Sequence, residues 1–391
     1  MASETEKYLL DKLVLAQKAA QGREDCLSKF PCIIQKHFEN VIRLLGQAEN
    51  GDLSESSRRG DLYHLCNALA NWQMVLERKG VYSLGGIRFL ITLNSKLKKM
   101  ESRLKGTTSG GVTRQEGDID EKIIMNECHD RWSCGTVDRN RVFGFREKEN
   151  FMERFLIRRD NEVNGFKAIC ISGVAGVGKT TLCQLTFNNE QVMKNFFPRI
   201  WVCMSKSPEV TDDDYQKEVL NRMLKCIGVE DQVIKFTGET RGVVGLLFAL
   251  RSVLKGTRYL IVLDDTFYTK FFVNLLRSEP ELLKANDGTK TLALGLPKQQ
   301  GGAVIVTTRS NEELGKKMVN KDNVYPLLPL CNKSCLEILK DSAGEKVKQL
   351  LKDQTDDDLE DTIMSKLGGL PLAAKIMGTI MKQQLDRIPE N

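Results

Sequence analysis

The stretch ICISGVAGVGKTTLCQL, residues 169–185, leaves a chain few ways to fold. An apolar run meets a glycine-rich turn, and the turn opens into Lys-Thr-Thr and a helical pattern from Thr181 to Phe187. Gly173, Gly178, Lys179 and Thr180 satisfy G-x-x-x-x-G-K-[ST], the spacing with which a strand passes into a helix around a phosphate group. Glycines let the backbone curl until successive N–H groups point inward at phosphate oxygens, and the positive end of the following helix backs them. Gly173, Val174, Ala175, Gly176, Val177, Gly178, Lys179, Thr180 and Thr181 are therefore the expected phosphate-binding residues. Within them Lys179 is placed for the β- and γ-phosphates, and the Thr180 hydroxyl for one position on Mg²⁺. The bland alternative is a glycine turn with an exposed lysine.

Such a loop needs an acid to hold the metal. RYLIVLDD, residues 258–265, supplies an apolar strand ending in two carboxylates. Asp264 is placed for Mg²⁺, directly or through water, and Asp265 for orienting or deprotonating an attacking water, the one catalytic candidate. A third run, GGAVIVTTR, ends in Arg309, which at the carboxyl edge of the same sheet would sense a γ-phosphate. Read alone it is a surface arginine.

Composition narrows the setting. The net charge of +6 is uneven: residues 1–105 carry 17 Lys+Arg against 12 Asp+Glu, and the remainder 41 against 40. That excess reads as a solvated face, the alternative being a surface for anionic lipid, and no basic block is dense enough to argue for nucleic acid. Eleven cysteines without a CxxC pair fit a reducing compartment. Cys128, His129 and Cys134 suggest part of a zinc site, but no second ligand pair follows. MASETEKYLL lacks the character of a signal peptide, and Ala2 stands where myristoylation needs glycine. No apolar stretch approaches the ~20 residues of a membrane span. The expectation is a cytosolic protein, with peripheral contact at the plasma membrane as the alternative.

Along the chain, Phe30, Ile33, Ile34, Phe38, Val41, Ile42 and Leu45 repeat at 3–4 spacing, as do Leu62 to Leu76 and Leu90 to Leu104, after a weaker stripe at Leu9–Val14. Four amphipathic helices predict an antiparallel bundle over residues 1–104. KGTTSGGVTRQEGD begins a linker over 105–140, of which 119–140 is ambiguous. Then Ala168–Ser172, Ile200–Met204, Tyr259–Leu263 and Ala303–Thr307 alternate with helical patterns. Continuous apolar runs predict strands buried on both faces, hence a parallel sheet in an α/β domain over 141–310, followed by a small helical subdomain over 311–391.

In order, VFGFREKE (142–149), ISGVAGVGKTTL (171–182), FFPRIWVCMS (196–205), YLIVLDD (259–265), GGAVIVTTR (301–309), YPLLPL (325–330) and GGLPLA (368–373) resemble the NB-ARC nucleotide-binding module of plant disease-resistance (NLR) proteins. The resemblance spans roughly 140–385, and the N-terminal segment is similar in kind to the family's coiled-coil domains, without their acidic EDVID-type patch. It implies that Val142, Phe143 and Gly144 lie beside an adenine, that Pro371 packs on the base, and that Arg309 meets the γ-phosphate. Departures are Ala175 where many relatives carry glycine and Thr266-Phe267 where Val-Trp is usual. The chain stops about twenty residues after GLPL, so the resemblance implies a short form without the winged-helix subdomain and leucine-rich repeats.

Two functions follow as expectations. One is a switch in plant defence signalling that binds ADP and ATP with Mg²⁺, works with partner proteins and hydrolyses slowly if at all. The other is an adaptor that pairs with full-length NLRs through the bundle, its nucleotide only structural. A metabolic phosphotransferase would need an acceptor site, and none is legible.

Overall fold

The computed structural model describes residues 133–158, 165–204, 211–266, 270–277, 290–309, 312–353 and 366–386, with Lys36, His37, Asn40, Val41, Arg43, Leu97, Lys98, Glu101 and Ser102 of the N-terminal segment. Five strands form one sheet in the order β2-β3-β4-β1-β5: β1 Lys167–Ser172, β2 Arg199–Cys203, β3 Leu260–Asp264, β4 Ala303–Thr308 and β5 Val324–Pro326. The pairings of β1 with β4 and β5, and of β3 with β4, are parallel. The sequence predicts the first four strands to within one residue at each end. β5 is the addition: three residues ending in proline, too short for periodicity to show and confined to an edge because proline cannot donate to a ladder. β3 and β4 are buried at every position and β1 at all but its first, as strands covered on both faces must be.

By compactness the chain divides into two units. The first, Met1–Gly135 with Phe197–Lys255, contains β2 and the helices α4 (Asp212–Cys226) and α5 (Asp231–Leu254). Thr211 caps α4 by accepting from the Asp214 N–H, and three aspartates in the first turn suit the helix dipole. Tyr215 and Arg222 on α4 donate to the Met204 and Cys203 carbonyls at 2.9 Å each, fastening the helix to β2 and the residue after it. Most of the expected bundle over 1–104 lies outside the described residues. Where it is described, His37 and Asn40 meet the carboxylate of Glu101 at 2.6 and 3.0 Å, and Val41 and Leu97 are buried.

The second unit, Thr136–Phe196 with Gly256–Asn391, holds β1, β3, β4 and β5. Its helices are α1 (Arg146–Ile157), α2 (Lys179–Phe187), α3 (Glu190–Asn195), α6 (Glu312–Met318), α7 (Asn332–Asp353) and α8 (Pro371–Leu385). α7 and α8 cross closely at Gly378, where a Cβ would lie 2.4 Å from the Leu339 carbonyl oxygen. The described residues after 310 are mostly helical, with β5 as the exception.

Candidate nucleotide site

Register brings the signals together. Ser172 pairs with Thr308 and Leu263 with Val306, so the ends of β1, β3 and β4 fall at one carboxyl edge of the sheet. Asp264 ends β3 there, and Gly173, Asp265 and Arg309 follow their strands out of the sheet. Open parallel sheets bind ligands at this edge.

The loop from 173 to 178 needs its glycines for two separate reasons. Gly178 has φ +100, and a Cβ there would meet the Phe145 ring at 2.4 Å. Gly176 has φ +80, and its Cβ would stand 3.0 Å from that of Leu372. Among the described residues only Asp265 and Asn274 take positive φ without being glycine, so Ala175 occupies an ordinary, exposed turn position and its methyl is tolerated. Gly178 caps α2 in the left-handed conformation with no side-chain hydrogen bond, which leaves the first-turn N–H groups without a capping side chain. Lys179 is nearly buried and turns back, its Nζ donating to the Gly173 and Val174 carbonyls at 2.7 and 2.9 Å. Burial first, then the Arg309 guanidinium, holds the Lys179 ammonium below its ordinary pKa, against the opposing pull of Asp265 and Asp264.

Asp264 is buried at the end of β3 and receives hydroxyl hydrogen bonds from Thr180, at 3.0 Å to each carboxylate oxygen, and from Thr307 at 2.7 Å. The same Thr307 hydroxyl accepts from the Asp265 N–H at 2.7 Å, and the Thr307 carbonyl accepts from the Thr266 N–H at 2.8 Å. Asp265 thus leaves the strand at φ +62 with its carboxylate turned to Arg309. Arg309 donates Nε to Oδ1 at 2.7 Å and Nη2 to Oδ2. Thr307 is a site residue the motif reading missed. A threonine in a β-branched strand reads as strand filler, and only the register with Leu263 and Asp264 reveals its bridging hydroxyl.

On the other side of the loop, Asp138 caps a short 3₁₀ turn at Arg139–Arg141, and Val142 and Phe143 follow half-buried. Gly144 turns the chain at φ +76 where a Cβ would strike the Ser334 side chain at 2.6 Å. Phe145 is buried and sits over Gly178. Gly369 has no room for a Cβ beside the Leu330 carbonyl, and the Leu330 N–H donates to the Gly369 carbonyl at 2.8 Å. Half-buried Pro371 opens α8 at the position where its missing N–H costs nothing. The Leu372 N–H then donates to the Gly176 carbonyl at 3.3 Å. Residues 142–145 and 369–372, far apart in sequence, therefore both touch or adjoin the phosphate loop. Phe145 and Leu372 make the direct contacts; sequence reading pointed to their neighbours.

The residues fit a nucleotide phosphate and a hard divalent cation. The uncapped first turn of α2, a backbone that can approach without Cβ atoms and the Lys179 ammonium suit phosphate, while the Thr180 hydroxyl and both Asp264 oxygens form an all-oxygen donor set. Of the zinc candidates, Cys128 and His129 lie outside the described residues, and no cluster of three or more His, Cys, Asp or Glu occurs among those described. No helix among the described residues is long and apolar enough to cross a membrane.

Comparison with known proteins agrees with this geometry. The family model described as "NB-ARC domain" matches residues 148–349. The Arabidopsis thaliana protein named "Probable disease resistance protein At4g19060" is 32% identical over 290 residues, covering 63% of this chain and 74% of its own. A second from the same plant, "Probable disease resistance protein At5g45490", is 30% identical over 67% of this chain and 81% of its own. "Disease resistance protein RGA2" of Solanum bulbocastanum is 26% identical over 73% of this chain, which spans only 26% of that longer protein.

Proposed function

Because the chain belongs to the NB-ARC family, we propose that it is an adenine-nucleotide-binding switch of plant defence signalling. The observation that carries this reading is the convergence of Lys179, the open first turn of α2, the Thr180–Asp264 pair and Arg309 on one sheet edge. In this reading residues 173–181 hold the phosphates of ADP or ATP, Thr180 and Asp264 hold Mg²⁺, and Arg309 meets the terminal phosphate. Val142, Phe143 and Gly144 line the base, with Pro371 above it. The nucleotide's chemistry is a charged phosphate chain whose length differs between two states; this chain's part is to bind one state more tightly and change shape accordingly. The domain limits that go with the reading are a helical bundle at 1–104, a linker at 105–140, the α/β domain at 141–310 and a helical subdomain at 311–391. The bundle is the proposed surface for other immune-signalling proteins.

Calorimetry with purified protein tests the proposal. ADP or ATP binds, and Lys179→Ala removes the binding; equal affinity in the variant overturns it. Turnover is expected below about one per minute, far under the ~10 per second of a median enzyme, because the only acid beyond Asp264 at the end of β3 is bound to Arg309. If Lys179→Ala lost nucleotide yet kept partner binding in co-precipitation, the adaptor reading would replace the switch.

A further inference from the structure

Asp265 is held in a way that a simple water base does not require. Positive φ is uncommon for a residue with a side chain, and this one is fixed by two backbone donations to Thr307, from Asp265 itself and from Thr266. The consequence is directional. The turn aims the Asp265 carboxylate across to the residue that follows β4, and both its oxygens are taken by the planar fork of Arg309. Two cations, Lys179 and Arg309, stand at this sheet edge, and Asp265 neutralises the second.

We propose that Asp265 is a specificity-determining residue that acts through Arg309, a restraint that a triphosphate must displace and a diphosphate need not. The proposal rests on the nucleotide-binding reading above. A diphosphate held by the loop leaves the Arg309–Asp265 pair closed. The terminal group of a triphosphate must win the guanidinium from Asp265, so part of its contact energy is spent breaking an existing charge-assisted pair. Asp265 therefore lowers the affinity for triphosphate relative to diphosphate. The resting chain favours the diphosphate, and the balance is set by a side chain that touches neither phosphate.

Asp265→Asn is the informative variant. Asparagine keeps the shape, tolerates left-handed backbone and cannot make the ionic fork. Affinities for ADP and a non-hydrolysable ATP analogue are to be measured by calorimetry in wild type, Asp265→Asn, Arg309→Ala and the double variant, with a thermal melt of each. Asp265→Asn is expected to tighten the triphosphate analogue about tenfold, the scale of one charge-assisted contact, and to leave ADP within about twofold. In the Arg309→Ala background the same change should have no effect on the ratio. An unchanged ratio in Asp265→Asn, or an equal shift for both nucleotides, overturns the proposal alone. So does an unchanged ratio with turnover abolished, which would make Asp265 the water base. Failure of wild type to bind either nucleotide overturns the functional reading, and this one with it.

Discussion

Two cations stand at the same sheet edge and are held by opposite means. Lys179 rests on neutral carbonyl oxygens of its own loop, Gly173 and Val174, whereas Arg309 rests on a full negative charge, Asp265. Carbonyl dipoles release an ammonium to an incoming phosphate at little cost, because a charged acceptor outbids a neutral one. A carboxylate must be outcompeted. On the proposed reading the loop would accept any phosphate, and the β4 edge would discriminate among phosphates.

The largest expected effect breaks that contrast at the loop. Lys179→Ala should weaken ADP and ATP alike, by roughly 100-fold or more, since a charge-assisted contact is worth about 1.5–3 kcal/mol and Lys179 supplies more than one. Arg309→Ala should weaken only the triphosphate, by about tenfold, and should hardly change stability, because an exposed ion pair contributes about 0–1 kcal/mol. Parallel titrations of the two variants check both statements. Equal losses for both nucleotides in Arg309→Ala would erase the distinction between the two cations.

Next in size is Gly178→Ala. Its methyl would enter left-handed backbone and the Phe145 ring together. A cost of about 2–4 kcal/mol is expected from strain and overpacking, read as a lower denaturant midpoint at unchanged m. Ala175→Gly, three positions earlier without positive φ, should stay within about 0.5–1 kcal/mol.

How the sequence announced these regions follows from the same physics. Phosphate binding imposes backbone geometry, backbone geometry imposes glycine, and so Gly173, Gly178, Lys179 and Thr180 are visible as a motif. The four longer strands are visible because burial on both faces leaves uninterrupted apolar runs. Arg309 and Asp264 are visible because each ends such a run. Phe145 and Leu372 were not, since an aromatic before a helix and a leucine after a proline look like ordinary core residues until the chain has folded them onto Gly178 and Gly176. Nor was the Asp265–Arg309 pair, which depends on β3 lying beside β4 in one register. The bundle's heptad-like stripes fall mostly outside the described residues.

Leu372→Ala tests the cover over the loop. Leu372 is half exposed, so its truncation should cost under about 1 kcal/mol of stability. It should nonetheless raise the nucleotide dissociation rate a few-fold, because the side chain lies against Gly176; such effects are mostly seen in off-rates. Stopped-flow displacement of a fluorescent ADP measures this. A rate identical to wild type would show that only the backbone bond from Leu372 to Gly176 holds the cover.

The smallest effect separates the site's foundation from its cover by thiol chemistry. Cys331 is exposed, and hydrogen bonding by Ser334 lowers its thiol below the ordinary value; Ser334 is also the side chain against Gly144. Cys170 lies inside β1, where burial pushes its thiol from 9.0 up to about 12. Because the folded value is raised, the Cys170 contribution to stability is complete below pH 9 and is lost between 9 and about 12, as the unfolded chain releases a proton that the folded chain keeps. Among the described cysteines, Cys331 should therefore be alkylated first at neutral pH, and Cys170 only at the rate of unfolding. Mass spectrometry of a timed alkylation reads both in one experiment. ADP should slow Cys331 slightly and leave Cys170 unchanged; early modification of Cys170 would mean that the strand beneath the phosphate loop opens before its cover does.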